Sequence, residues 1–306
     1  MLFRSRAMGR YESTEPLHLE SLEIRKEQLG DRHPDTAQSM NNLAELYKSM
    51  GRYESAEPLL LQSLEIIKEQ LGDRHPNMAA SLNNLATLYG SMGRYESAEP
   101  LSLQSLEIKK EQLGACHPDT ATSLNNLAEL YKSTGRYESA EPFYLSSLKI
   151  MKEQLGNRHP DTITSLNNLA DLYRLMERYE LAEPLYLESL AVWKERLGDQ
   201  HPVIAGILHS LAFAHYSMDH YELAEPLYLE AMKIWKEQLG DRHSNVAMSL
   251  HNLAVLYHKS KQNRKALLLI QEAIEIHIST LGTEHPATQK SNSWLRAIEQ
   301  GIENGE

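Results

Sequence analysis

Histidine is the side chain best suited to hold a metal or move a proton near neutral pH, and here it returns on a fixed step. His33, His75, His117, His159, His201, His243 and His285 stand 42 residues apart. Zinc needs its ligands within about 2.3 Å of the ion. Copies one structural unit apart lie about 10 Å from each other at helix-packing distances, so this set is expected to bond helix ends, not a metal. A second set, His209, His215, His220, His251 and His258, gathers later in the chain. No cysteine or carboxylate completes a ligand group there, and no metal or other cofactor is expected. Cys116 is the only cysteine and has no repeated His–Asp partner that would activate a thiol. The glycines occur singly, without a phosphate-cradling loop and its lysine. No nucleophile, base and orienting group come together, so the chain reads as a non-enzyme.

Asparagine offers chemistry of another kind. Its amide donates and accepts at once, so it can pair with a peptide backbone whatever the side chains are. Asn42, Asn84, Asn126, Asn168 and Asn252 keep the same 42-residue step, with Ser210 between the last two. One amide per unit is a spacing that could clamp an extended polypeptide. The alternative is a bond to the neighbouring helix that only sets the spacing between units. The preceding residues, Asn41, Asn83, Asn125 and Asn167, sit nearer the flank and are read as structural.

These side chains can share a wall only if helices hold them in phase. Between Pro76 and Gly114, Leu82, Leu85, Ala86 and Tyr89 recur at helical spacing. Proline suits the start of that helix and Gly93 its end. A second helix follows from Tyr95, with Ala98, Leu101, Leu106 and Ile108 toward the core, and Gly114 closes it. Pro100, with Pro16, Pro58, Pro142, Pro184 and Pro226 at the same slot, predicts a slight bend early in each second helix, not a break. No alternating strand pattern occurs.

The period spans the chain. Gly-Arg-Tyr begins at Gly9, Gly51, Gly93 and Gly135, and Glu177, Asp219 and Lys261 hold the glycine slot afterwards. A fixed period of this length signals a repeat array. The expected fold is all-α, a right-handed superhelical solenoid of antiparallel helix pairs forming one array over residues 1–306. It is divided as a partial unit 1–34, full units at about 35–76, 77–118, 119–160, 161–202, 203–244 and 245–286, and a terminal half unit 287–306. Later copies drift: His209-Ser210 replaces Asn-Asn, and His215 replaces the stripe tyrosine. In the half unit, Trp294, Leu295 and Ile298 are expected to pack inward, with Gln289, Lys290, Arg296 and Glu299 facing water as a cap. The first residues, 1–13, read as the tail of a helix whose unit starts outside this sequence, and the N-terminal end has no cap. Its exposed apolar edge is a candidate for self-association.

Leu82, Leu85, Ala86, Tyr89, Gly93, Tyr95 and Ala98 match the tetratricopeptide repeat pattern. The strings LNNLA, GRYESAEPL, SLEI and LGDRHP resemble kinesin light chains, and more closely the bacterial proteins built of near-identical copies. The resemblance covers nearly the whole chain. It implies a peptide-binding scaffold in which asparagine at the Asn84 slot contacts ligand backbone. No heptad seam of the kind that ties kinesin light chains to a motor precedes Gly9.

With the core stripe placed, the opposite face of each first helix carries Ala80, Asn84, Thr87 and Ser91 and their equivalents. Along it, Glu45, Glu129 and Asp171 make the early part acidic, whereas Phe213, Val255 and Met248 make the late part apolar. Kinesin light chains hold acidic, tryptophan-bearing cargo on basic groove residues. This face has few cations, and the expected ligand is a peptide with basic residues toward the early units and an apolar anchor near Phe213. Phe213 packing on Tyr216 is the competing reading. The net charge of −11 argues against nucleic acid and anionic membranes as partners. No apolar run is long enough to cross a bilayer, and a single cysteine fits a reducing, cytoplasmic setting. The expected function is a protein-interaction scaffold. A self-associating array and a motor cargo adaptor are the alternatives.

Overall fold

The computed structural model describes residues 2–304, with side chains from Ser13 onward. The described residues form fourteen α-helices and no strand. The first helices of the hairpins are α2 (Pro34–Ser49), α4 (Pro76–Ser91), α6 (Pro118–Ser133), α8 (Pro160–Leu175), α10 (Pro202–Ser217) and α12 (Ser244–Lys259). The second helices are α3 (Tyr53–Leu71), α5 (Tyr95–Leu113), α7 (Tyr137–Leu155), α9 (Tyr179–Leu197), α11 (Tyr221–Leu239) and α13 (Asn263–Leu281). α1 (Leu2–Leu29) precedes them and α14 (Pro286–Glu303) follows. α1 runs unbroken through Gly9, Arg10 and Tyr11, the tripeptide slot that turns the chain elsewhere. Of the N-terminal edge expected to self-associate, the side chains before Ser13 lie outside the described residues, and among the described ones Leu17, Leu19, Ile24 and Leu29 of α1 are exposed.

The same local chemistry makes every hairpin. Each first helix opens on a histidine whose Nδ1 accepts the backbone N–H two residues on, as His75 does from Asn77 at 3.1 Å and His285 from Ala287 at 3.2 Å. That satisfies one of the amides a helix start leaves unpaired. The loop histidines therefore cap helices. The first helix ends where Gly93 takes φ +73°, letting Arg94 N–H reach Tyr89 O at 2.8 Å and Gly93 N–H reach Gly90 O at 3.0 Å. This paired bonding is the glycine-favoured helix stop. Glu177, Asp219 and Lys261 hold the same left-handed conformation without being glycine, at φ 57°, 60° and 59°. The second helices continue unbroken through Pro58, Pro100, Pro142, Pro184 and Pro226.

The chain divides into two compact units, Leu2–Asn168 and Leu169–Glu306. In the first, consecutive helices from α1 to α7 pack each on the next, as do α9 to α14 in the second. Leu82, Leu85, Ala86, Tyr89, Ala98, Leu106 and Ile108 are buried as the periodicity requires. Buried serines tie each second helix to its partner: Ser63, Ser105 and Ser147 donate to Ala37 O, Ala79 O and Ala121 O at 2.7–3.0 Å.

Successive hairpins are joined by a recurring triad. Arg94 stacks over the Tyr89 ring at 4.1 Å and donates to Glu57 at 2.8 Å, while Tyr89 Oη donates to the same carboxylate at 3.0 Å. Arg136, Tyr131 and Glu99 repeat it, and the Arg136 bond holds the Glu99 carboxyl below its usual range despite partial burial. At the far end, Ile298 is fully buried, with Trp294 and Leu295 packed beside it. Gln289, Lys290, Arg296 and Glu299 are exposed. Gly301 lets α14 approach Asn263: a Cβ there would stand 2.6 Å from Asn263 Nδ2. No helix among the described residues is long and apolar enough to cross a membrane.

Candidate functional site

In the unit Leu2–Asn168, the asparagine row lies on the solvent side of the first helices, but not free of them. Asn126 Nδ2 donates to Asn83 Oδ1, and Asn168 Nδ2 to Asn125 Oδ1, both at 2.9 Å. The second asparagine of one copy is thus bonded to the first asparagine of the copy before, a ladder from hairpin to hairpin. Asn41 belongs to the inner row too, donating to Ser81 Oγ at 2.8 Å. Asn42 is exposed and accepts from Gln38 at 3.1 Å. Asn84 is half-buried, and its amide has no partner among the described residues.

The acidic row is also engaged. Glu45 pairs with Lys48 at 2.7 Å. Glu129 pairs with Lys132 at 2.6 Å and accepts the Tyr144 hydroxyl at 2.6 Å. Much of its charge is answered within the fold, which leaves a weaker field for a basic ligand than the sequence suggests. Asn126 and Glu129 line a shallow cavity of about 310 Å³ with Ala86, Thr87, Gly90 and Ser91.

In the unit Leu169–Glu306, Asp171 pairs with Arg174 at 3.4 Å and accepts from Tyr186 Oη at 2.6 Å. One copy later Phe213 occupies that carboxylate's slot, and the buried hydroxyl of Tyr228 finds no carboxylate there. Phe213 is half-buried, 6.4 Å from both Tyr179 and Tyr216 ring to ring, with the Arg174 guanidinium 5.7 Å above it. Met248 is exposed, whereas Val255 is withdrawn at 7% exposure. The ladder changes chemistry: Asn252 Nδ2 bonds His209 Nε2 at 3.0 Å, so an imidazole stands in for an asparagine. Burial first, then Arg174, pushes His209 down to about 4. Burial first, with Lys290 and His277 adding to it, does the same to His251.

Gly206, His209, Phe213, Met248, Asn252 and Lys290 are among the residues around a cavity of about 680 Å³, whose floor includes Trp235, His251 and His277. Phe213, Met248 and Asn252 were legible from the phase of the helices. The floor was not, since His277 and Trp235 belong to second helices and read as core. The signal that could have found it is Gly206, a glycine in mid-helix at a slot filled elsewhere by Gln38, Ala80, Thr122, Thr164 and Met248. Of the remaining histidines, His215 and His220 lie 6.1 Å apart. No three His, Cys, Asp or Glu side chains converge among the described residues. Cys116 is exposed.

The tetratricopeptide repeat model matches in overlapping stretches from residue 5 to residue 279: 5–69, 41–111, 77–153, 119–195, 161–225 and 203–279. Among curated proteins, none matches the chain. Among solved structures, BtubC (BKLC) from P. vanneervenii is similar, with a TM-score of 0.65 and 22% identity over 75% of this chain and 92% of that one. A kinesin light chain-type chain of nearly identical TPR-like repeats from P. anserina gives 0.59 and 27% identity, over 67% and 97%. A signal transduction ATPase with a tetratricopeptide repeat sensor, from Pyrococcus horikoshii, gives 0.71 and 18%, over 98% of this chain and 44% of that one.

Proposed function

The chain belongs to the tetratricopeptide repeat family, and from that premise we propose that it is a non-catalytic, cytoplasmic scaffold holding peptide segments of partner proteins against its first helices. Repeats of this family generally serve protein interaction. The observation that carries the finer reading is Asn84 on α4, a half-buried residue whose amide is spent on no bond among the described residues. A guest backbone could pair with this amide without first breaking a bond inside the fold. Asn126 and Asn168 keep an amide oxygen and a second N–H beyond their ladder bonds, enough for one contact each. In the unit Leu169–Glu306, Phe213 and Met248 offer an apolar anchor.

A peptide array on the purified chain, followed by titration of the selected peptides, tests the reading. Asn84→Ala is expected to weaken binding about 5- to 10-fold, the worth of one hydrogen bond, with the melting temperature unchanged. Selected peptides that bind N84A and parent alike would remove the clamp from consideration.

A further inference from the structure

The cavity in the unit Leu169–Glu306 goes beyond a wall for peptides, because its floor lies between helices and not along them. Trp235 and His277, from the second helices α11 and α13, are 3% and 5% exposed, and His251 is 7% exposed. At about 680 Å³ it falls within the usual range of small-molecule sites, about 300–1,000 Å³.

Three observations say what fits. The first is Gly206. Glycine destabilises a helix interior, and it is usually kept where another part of the chain packs closely. Here no atom lies within 4 Å of where its Cβ would be. The space it leaves opens on the cavity. The second is charge. The ionised groups around the cavity are Asp171, Arg174 and Lys290. Asp171 and Arg174 answer each other. Lys290 has no carboxylate partner among the described residues, so a chain of net charge −11 here presents an unmatched cation. The third is the pair of buried imidazoles. His251 Nδ1 and His277 Nδ1 both bond Ser291 Oγ, at 2.9 and 3.2 Å. Neither Nε2 has a partner among the described residues, although both rings line the cavity.

We propose that this cavity binds a small organic carboxylate, its apolar body against Phe213, Trp235 and Met248 and its charge toward Lys290. Ser291 has a single hydroxyl proton, so one of the two neutral rings accepts it at Nδ1 and keeps an Nε2–H to donate beside the ammonium, while the other donates its Nδ1–H to Ser291. Arg174, already held by Asp171 and stacked on Phe213, also lines the cavity. A ligand there shares Phe213 and Met248 with the peptide face, so its presence would change what that face can hold.

The test is calorimetric titration of the full chain with 2-naphthoate and with decanoate, each against its neutral amide. One saturable site per chain is expected for at least one acid, with its amide at least tenfold weaker. Lys290→Met should bring that acid to the level of its amide. Gly206→Gln, which places in the gap the residue found at Gln38, should abolish binding of both forms. Glutamine favours a helix more than glycine, so an unchanged or raised melting temperature shows that the loss is occupancy and not misfolding. Neither acid saturating at millimolar concentration, amide and acid binding alike, or G206Q binding as the parent does would each overturn the proposal. Asn84 lies in the other unit, so the Asn84 clamp stands or falls apart from these results.

Discussion

His209 and His251 stand where Asn41, Asn83, Asn125 and Asn167 stand in earlier copies, and the exchange makes a neutral rung sensitive to acid. Both rings are pushed down to about 4, against about 6.5 in an unfolded chain. Between those values the unfolded chain binds more protons, so stability is complete above about pH 6.5 and falls as the pH drops toward 4. At pH 5 the loss is on the order of 2 kcal/mol per ring. Urea unfolding at pH 7.5 and pH 5 is expected to show this loss in the second unit. His209→Asn should remove its share, since asparagine keeps an acceptor for Asn252 without a titrating ring. An equal pH response in H209N would show that the ring is not responsible.

Hairpin by hairpin, most of the fold could be read from spacing, because each stop and start uses a residue with a distinctive role. Proline, histidine and glycine mark the helix ends, and leucine and alanine mark the buried stripe. What stayed hidden was pairing across hairpins. Arg94 looks like a turn residue and Glu57 like a surface charge. Only packing brings them to the Tyr89 ring, and no local pattern encodes a partner 37 residues away. The asparagine ladder was hidden for the same reason. The turn itself offers a direct test. Lys261 sits at φ 59°, where a side chain crowds the following carbonyl at a cost of about 1–2 kcal/mol. Lys261→Gly is expected to raise stability by about 0.5–1 kcal/mol, the strain relieved less the added unfolded entropy. Gly93→Lys should lose a comparable amount. Thermal unfolding of the pair checks both signs.

At the scale of the molecule, stability in a repeat array is a sum of copies and the joints between neighbours. Damage is then felt nearby first. Ile298, on the inner face of α14, is fully buried, and Ile298→Ala should cost about 2–5 kcal/mol locally. Amide hydrogen exchange is expected to speed up in α12, α13 and α14 while α2 to α5 keep their protection. A uniform rise along the chain would mean that the units open together. That Phe213 and Met248 stand on the outward face of their first helices was accessible to sequence reasoning, because phase alone places them. The floor of the cavity was not, since Trp235 and His277 come from second helices and read as core.

The ladder has a consequence for how such a chain changes length. The copy that holds Asn125 and Asn126 carries a donor asparagine for the copy before it and an acceptor asparagine for the copy after. Asn168 now reaches Asn125, and Asn126 reaches Asn83. Excising residues 119–160 would bring Asn168 opposite Asn83, the same two groups in the same roles. At this rung the joint left by the lost copy uses the same pair of amides as the joints it replaces, so a change of length by one whole 42-residue step keeps this contact without a new one having to arise.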